Sequence, residues 1–368
     1  MRRSITRLWL TPLILAAALG AACPSISWGL GAGLPAQRAH SQWLVDQNFV
    51  RPISNAKRPV CSPGGTCLAQ ADLSGKWIDV LLTSQGVRGY WPTVSGGNPA
   101  FQSCPTSDVC VGIVWHLETT PQRGALLRTT DAGRRWTRVP LPRSITIPDS
   151  VACPTAADCV VIGTDPAFDT YSASTEDGGK TWSVWKLPNV LSGDYFGVVC
   201  PSTSTCFALQ PEVSPAVLIE TKDFGKTWTQ VRVPLRQGEF FLNALSCWSG
   251  NGCGLVITSC DASACSYGGV LRYAKVIDGA VVSIRPVPGR LVESASISCP
   301  SASSCVLTET ISLRSHVLAT SNGGRTWAGQ ELPKGIGEVF PECTSPGQCV
   351  GVGFGRYRSA EVVFLRYG

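Results

Sequence analysis

Cysteine is the residue through which this chain can do most chemistry: 17 of its 368 residues are Cys, and most fall in a fixed pattern. Seven times the sequence reads Cys, five residues, Cys: Cys61/Cys67, Cys104/Cys110, Cys153/Cys159, Cys200/Cys206, Cys247/Cys253, Cys299/Cys305 and Cys343/Cys349. Paired thiols either hold a metal or close a disulfide. Structural zinc is usually bound through Cys pairs separated by two to four residues, often completed by His. The three histidines, His40, His116 and His316, lie beside none of these pairs. The pattern therefore predicts disulfides, with no metal and no cofactor. Closing so short a loop contributes on the order of 2 kcal/mol by the loop-entropy model, and persistent disulfides call for an oxidising compartment. Cys260 and Cys265 make an eighth pair, which leaves Cys23 alone.

Carboxylates are the second source of chemistry. A glycoside hydrolase needs two acids about 5 to 10 Å apart in a cleft, and Glu118, Asp169 and Glu309 are acids in variable segments that could meet this requirement. Composition narrows the rest. With 44% hydrophobic residues, 15% charged residues and 12 Trp, the chain can bury a core and is not disordered. The net charge of +6 falls to about +3 without Arg2, Arg3 and Arg7, and no basic run tracks a phosphate backbone, so nucleic acid is not an expected partner.

The elements that position these residues form a repeat. The first cysteines of successive pairs are 43, 49, 47, 47, 52 and 44 residues apart, a period that points to a propeller or another repeat array. Apolar runs such as Val160-Val161-Ile162-Gly163 follow the second Cys, so each pair brackets a hairpin loop between two strands. Some 20 to 25 residues later a second motif recurs: Thr129 to Trp136, Thr175 to Trp182, Thr221 to Trp228 and Thr320 to Trp327. Its fixed members are Asp131/Trp136, Asp177/Trp182, Asp223/Trp228 and Asn322/Trp327, with Gly between. Asp or Asn accepts backbone N–H bonds in a tight turn, Gly takes positive φ, and Trp buries a ring beside it. Repeat one keeps a degraded copy from Thr83 to Tyr90, and repeat five has lost it.

These octapeptides resemble the Asp-box of the BNR-repeat β-propellers, Ser/Thr-x-Asp-x-Gly-x-x-Trp, and the resemblance covers residues 41 to 368. It implies an all-β fold of four-stranded antiparallel blades, with the Asp-box residues as turn-formers. Strand A leads to the first Cys, B follows the second, C enters the Asp-box and D runs from Trp to a Pro stop. The last unit is one strand short, and Trp43 to Pro52 stands where a missing D strand would be. The expectation is a seven-bladed propeller whose N-terminal strand closes the ring and removes exposed sheet edges.

Sialidases of the family carry a Phe/Tyr-Arg-Ile-Pro motif, and the nearest strings here, Val50-Arg51-Pro52-Ile53 and Ile284-Arg285-Pro286-Val287, do not match it. No catalytic residue is therefore carried over. Other members are non-enzymatic, such as photosystem II assembly factors and sorting-receptor ectodomains. In propellers the A–B and C–D turns share one face, and the B–C and D–A loops form the face where ligands usually bind. The B–C loops are read as holding Asp72, Lys76 and Trp77; His116 and Glu118; Asp169 and Tyr171; Glu309, Arg314 and His316; and Arg356 and Tyr357. Tyr195 lies in a D–A loop. Aromatic rings beside charges suit recognition of a protein, peptide or glycan.

At the N-terminus, Arg2, Arg3 and Arg7 precede an uncharged run from Leu8 to Leu19 that ends in Gly20, Ala21 and Ala22. This reads as a secretory signal over residues 1–22, too short in its apolar core to span a bilayer. Leu19 to Cys23 resembles a bacterial lipobox, which would make Cys23 a lipidated first residue; ordinary cleavage nearby is the alternative. Residues 23–40 read as a linker and 41–368 as one propeller. The sequence thus predicts a secreted or surface-anchored bacterial binding or assembly module. It would be a monomer, touching a membrane only through Cys23, with a sialidase-like glycoside hydrolase using paired carboxylates in the central pocket as the competing reading.

Overall fold

Strands such as Cys159–Thr164 are apolar at consecutive positions rather than alternating, and the structure explains why: every residue of that strand is buried. A strand covered on both faces reads as a continuous apolar run. The computed structural model describes residues 43–46, 53–93, 98–116, 123–188, 196–210, 217–236, 239–248, 251–259, 271–289, 294–311, 314–355 and 362–367. These residues form seven antiparallel sheets, the blades of a propeller.

In blade 1, strand A is Ile53–Ala56, continued by Val60–Cys61, followed by Cys67–Leu73, Lys76–Thr83 and Gly86–Pro92. Blade 2 comprises Asn98–Ser103, Cys110–His116, Arg123–Thr129 and Thr137–Val139. Blade 3 is built from Ile147–Ala152, Cys159–Thr164, Thr170–Thr175 and Ser183–Lys186. Blade 4 follows with Phe196–Val199, Cys206–Gln210, Val217–Thr221 and Thr229–Val231. Blade 5 has Glu239–Trp248, Gly252–Ser259, Arg272–Ile277 and Ala280–Pro286. Blade 6 has Ser294–Ser298, Cys305–Ile311, Arg314–Thr320 and Ala328–Gln330. Blade 7 takes Ile336–Ser345, Gln348–Gly355 and Val362–Tyr367 from the end of the chain.

Its fourth strand is Trp43–Val45, which pairs antiparallel with the last strand through Trp43↔Tyr367 and Val45↔Leu365. The N-terminal strand therefore completes blade 7, as expected; residues 47–52 of the expected segment lie outside the described residues. Just beyond Val45, the Asp46 N–H donates to Phe364 O at 2.8 Å. The Asp46 carboxylate turns away to accept the Val87 N–H of blade 1.

Apolar clusters lie between blades rather than inside them. Ala152, Val160 and Ile162 of blade 3 pack with Ala208, Ile219 and Trp228 of blade 4. Across the ring closure, Val80 and Leu82 of blade 1 pack with Val350, Val352 and Phe364 of blade 7. Arg58 fastens the same closure, donating to Glu342 of blade 7 at 2.8 Å and to Ile297 O of blade 6 at 2.9 Å.

All seven Cys-x5-Cys pairs form disulfides, with Cα atoms 3.9 to 4.1 Å apart. The bridges agree with the sequence reading, and strand B starts at the second cysteine or one residue before it. Strand B opens on that residue itself in five blades, at Cys67, Cys110, Cys159, Cys206 and Cys305. In blades 5 and 7 strand B begins one residue earlier, at Gly252 and Gln348. Cys253 and Cys349 thus lie one residue inside their strands, and like the second cysteine of every other pair they are buried. They face Cys247 and Cys343 as direct cross-strand partners. The cause is a tighter turn within the same five-residue spacing. In blade 7, Pro346-Gly347, with Gly347 at φ 78°, supplies a Pro-Gly pair suited to a two-residue reversal. In blade 5, Asn251 takes φ 57° just before pairing resumes at Gly252.

Cys23 and the Cys260/Cys265 pair lie outside the described residues. The Thr-x-Asp/Asn-x-Gly turns dock onto the disulfide loops by one repeated bond. Ala132, Gly178, Phe224 and Gly323 donate N–H to Asp108 O, Ala157 O, Ser204 O and Ser303 O at 2.8 to 2.9 Å. The A–B and C–D turns therefore share a face, as expected.

Blades 1 and 5 use other turn chemistry. Blade 5 replaces the octapeptide with Asp278-Gly279, at φ 49° and 77°, the left-handed pair of a tight hairpin. Their outer strands are seven residues long, against three or four in blades 2, 3, 4 and 6. Each long outer strand has a register shift that leaves Arg88 or Val282 unmatched. Such bulges blunt an exposed edge against pairing with another chain.

Candidate functional site

The loop face carries three polar constructions in the described residues. In blade 3 the B–C loop is a preformed turn. Asp165 Oδ1 accepts the N–H groups of Ala167 and Asp169 at 2.9 and 3.0 Å, and Asp165 O accepts that of Phe168. Lys186, at the end of the outer strand, donates to Asp169 Oδ2 at 2.5 Å, and this bond raises the lysine pKa. Tyr171 OH reaches Asp165 Oδ2 at 3.4 Å; burial and the neighbouring carboxylates raise the phenol pKa. At the tip stands Phe168, 73% exposed at φ 63°. Left-handed backbone costs a bulky residue on the order of 1 kcal/mol, so the loop holds this ring out against its own preference.

Blade 6 buries an acid beneath the same face. The Glu309 side chain is 1% exposed and its Oε1 lies 3.1 Å from Nδ1 of the exposed His316. Burial raises the Glu309 pKa and His316 opposes the shift. Gly289 packs against the other oxygen: a Cβ there would fall 2.1 Å from Glu309 Oε2, so a larger residue would displace the carboxylate. In blade 5, Arg272 donates to Glu239, which also accepts the Arg236 N–H at 2.6 Å. Both side chains of that ion pair are largely buried.

These positions correct part of the sequence reading. Asp72 and Trp77 are strand residues, paired across the two-residue turn Ser74-Gly75. Glu309 and His316 are also cross-strand partners, and Arg314 begins strand C of blade 6. His116 ends strand B of blade 2, and Tyr171 lies in strand C of blade 3. The cause is β-propensity: runs such as Thr308, Thr310 and Ile311 extend the strands past the polar residues. Of the expected loop-face residues, the structure joins Glu309 with His316 and places Asp169 and Tyr171 in one cluster. Trp77 stands apart under Lys57, whose Nζ is 5.5 Å from the ring centroid. Glu118, Tyr195, Arg356 and Tyr357 lie outside the described residues. Lys186 and Arg272 were missed, although each sits at a strand end opposite a residue of the B–C or D–A loops, where the strand register would have found it.

The carboxylates of the turn face serve shape instead. Asp177 Oδ1 accepts N–H from Lys180 and Thr181 at 2.9 and 3.0 Å, while Thr175 Oγ1 accepts that of Gly179 at 2.9 Å. Asp223 and Asn322 repeat the scheme with Thr227 and Thr326. Asp131 bonds both the side chain and the N–H of Arg135, which holds its carboxyl at about 2. The tryptophans tie neighbouring blades: Trp182 donates to Pro140 O at 2.9 Å and Trp136 to the buried Asp79 at 2.8 Å. Trp228 is buried in the blade 3/4 wedge, and Trp327 meets Tyr273 edge-on at 5.6 Å. Asp79 also accepts from Gln70 and Thr93; burial raises its pKa and these bonds oppose the rise.

Among the described residues, no cluster of three or more His, Cys, Asp or Glu could hold a metal, and no helix is long and apolar enough to cross a membrane. The seven disulfides fit an oxidising, extracellular compartment. No protein-family model and no curated protein matches the sequence. Solved propellers resemble the fold. YCF48 from Cyanidioschyzon merolae is 13% identical with a TM-score of 0.56, covering 89% of this chain and 98% of its own. The GH74 xyloglucanase of Xanthomonas campestris is 13% identical with a TM-score of 0.56, over 86% of this chain and 52% of its own. The Niastella koreensis GH74 enzyme is 14% identical with a TM-score of 0.56, over 83% and 53%. The chain thus spans about half the length of these two enzymes. At such identities the likeness establishes the fold, a seven-bladed β-propeller, and nothing finer.

Proposed function

We propose that this chain is a secreted bacterial propeller of the Asp-box, BNR-repeat type that binds a protein, peptide or glycan on its loop face without transforming it. The observation that carries this reading is the blade 3 loop. Its carboxylates are engaged in holding its shape, Asp165 by backbone N–H groups and Asp169 by Lys186, and what the loop offers outward is the Phe168 ring. A rigid, exposed aromatic surrounded by polar groups is the composition of a binding hot spot. Trp77, His116, Glu118, Asp169, Tyr171, Tyr195, Glu309, Arg314, His316, Arg356 and Tyr357 remain the proposed contributors to this face. The reading includes a signal over residues 1–22, lipidation at Cys23, a propeller beginning near residue 41, and a monomeric state.

The test is panning of peptide and glycan libraries with the intact chain, followed by remeasurement of each hit with Phe168→Ala and Lys186→Ala. A loss of about tenfold or more in both variants is expected. Hits that neither substitution weakens would place recognition elsewhere.

One observation favours hydrolysis as a second reading: Glu309 is a buried acid with a raised pKa, the property required of a proton donor to a glycosidic oxygen. On that reading Glu309→Gln abolishes release of reducing ends from a β-glucan, and the second acid is sought in Glu118 or Asp169.

A further inference from the structure

The seams between neighbouring blades are fastened unequally. In blades 2 and 5 a cation of strand C reaches the disulfide loop of the next blade: Arg128 donates to Ala156 O at 2.7 Å and Lys275 to Ala302 O at 2.9 Å. Both occupy one register position, opposite the residue that follows the second cysteine. Blade 4 places Glu220 there, opposite Phe207. A second fastening uses serine. Ser103, Ser246 and Ser298 stand just before the first cysteine of their blades and accept the N–H of Cys153, Cys299 and Cys343 in the next blade at 2.9 Å. Blade 4 has Val199 at that place, which carries no hydroxyl.

Glu220 is thus a carboxyl group where its counterparts are donors. Its side chain is 5% exposed, its Oε1 is buried without a hydrogen-bond partner, and a Cβ on Gly279 of blade 5 would fall 2.1 Å from its Oε2. The charged groups that face it are Lys222 of its own strand, 3.5 Å from Oε2, and Asp278 of the blade 5 turn, whose carbonyl accepts from Lys222 at 3.2 Å. The flanking strands of blade 4, Cys206–Gln210 and Thr229–Val231, contain no charged residue. In strand C of blade 5, Arg272 is engaged by Glu239 and Lys275 by blade 6. Burial raises the Glu220 pKa, and Lys222 opposes the rise. Only the neutral carboxyl has a hydrogen to donate, as Arg128 and Lys275 do. The ionised form leaves a largely buried charge against the neighbouring blade.

We propose that Glu220 makes the seam between blades 4 and 5 a pH-sensitive latch, closed while the carboxyl is protonated and loosened at its turn-face end when it ionises. Phe207, Leu218 and Val231 of blade 4 pack with Leu255, Ala274 and Val276 of blade 5. This wedge keeps the ring assembled, so the loosening is a local opening and not unfolding. The direction follows from the raised folded pKa: the latch is fully closed below the unfolded carboxyl value and is released as pH rises through the folded one.

The experiment is hydrogen exchange of the full chain at about pH 4 and about pH 8, read by mass spectrometry and corrected for the intrinsic pH dependence of amide exchange. Protection of residues 217–221 and 272–279 should fall about tenfold or more at the higher pH. Residues 123–129 and 147–152, at the seam between blades 2 and 3, should keep theirs. Glu220→Gln carries a donor at every pH and should abolish the difference. Lys222→Met leaves the ionised carboxylate without its cation and should enlarge it. Equal protection of the blade 4/5 seam at both pH values in the parent, a difference that survives in Glu220→Gln, or a loss shared equally by the blade 2/3 seam would each overturn the proposal.

Discussion

The two faces of this propeller use their carboxylates differently. On the turn face Asp131, Asp177 and Asp223 accept bonds from the backbone and side chains of their own turns, and their acidity is strengthened. On the loop face Asp165 is held by backbone N–H groups as well, but Asp169, Glu239 and Glu309 there and beneath it pair with side chains from other strands: Lys186, Arg272 and His316. Backbone donors fix a turn in one geometry, blade after blade. Side-chain partners can be exchanged for a ligand, so the face built with them is where recognition can reside.

The comparison is broken most severely by reduction. Seven bridges worth about 2 kcal/mol each by the loop-entropy model amount to about the whole stability of an ordinary domain. Calorimetry in a strong reductant should therefore find no cooperative transition at room temperature. Next comes Asp79→Ala, which removes the buried carboxylate that accepts from Gln70, Thr93 and Trp136. It should cost about 3 kcal/mol, measured by urea unfolding followed through tryptophan fluorescence. Thr175→Val removes the acceptor of the Gly179 N–H and should cost about 1–2 kcal/mol. On the other face Phe168→Ala should change stability by less than about 0.5 kcal/mol, because the ring is exposed, while weakening any ligand of that face.

The smallest effect sharpens the contrast through pH. The folded pKa of Asp131 is depressed to about 2. Its contribution is therefore present above the unfolded value near 4 and is lost as pH falls toward about 2. The folded pKa of Glu309 is raised, so its contribution is full below the unfolded carboxyl value and is lost as pH rises through the folded one. Asp131→Asn should flatten the acid limb of a stability profile and Glu309→Gln the limb above it. Coincident profiles for both variants and the parent would erase the distinction between the faces.

Repetition explains what was legible beforehand. Seven cysteine pairs and four turns report the same local geometry several times, so the disulfides and the repeat could be read from spacing, and the blades and the closing strand from that spacing together with the resemblance of the octapeptides to the Asp-box. Spacing did not reveal where each strand starts. Cys253 and Cys349 share the five-residue interval of the other pairs, yet the turns at Asn251 and Pro346-Gly347 draw them into the ladder. The loop face repeats nothing. That Glu309 meets His316 depends on a cross-strand register, and that Gly289 packs against Glu309 depends on a neighbouring blade, neither of which a linear pattern contains.

The central claim is that the loop face recognises a partner without cleaving it. It is tested most directly by measuring reducing-end release from xyloglucan and other β-glucans by the parent chain and by Glu309→Gln. The account predicts no release above buffer from either protein. Release by the parent that disappears in Glu309→Gln would contradict it and make the buried acid of blade 6 a catalytic residue.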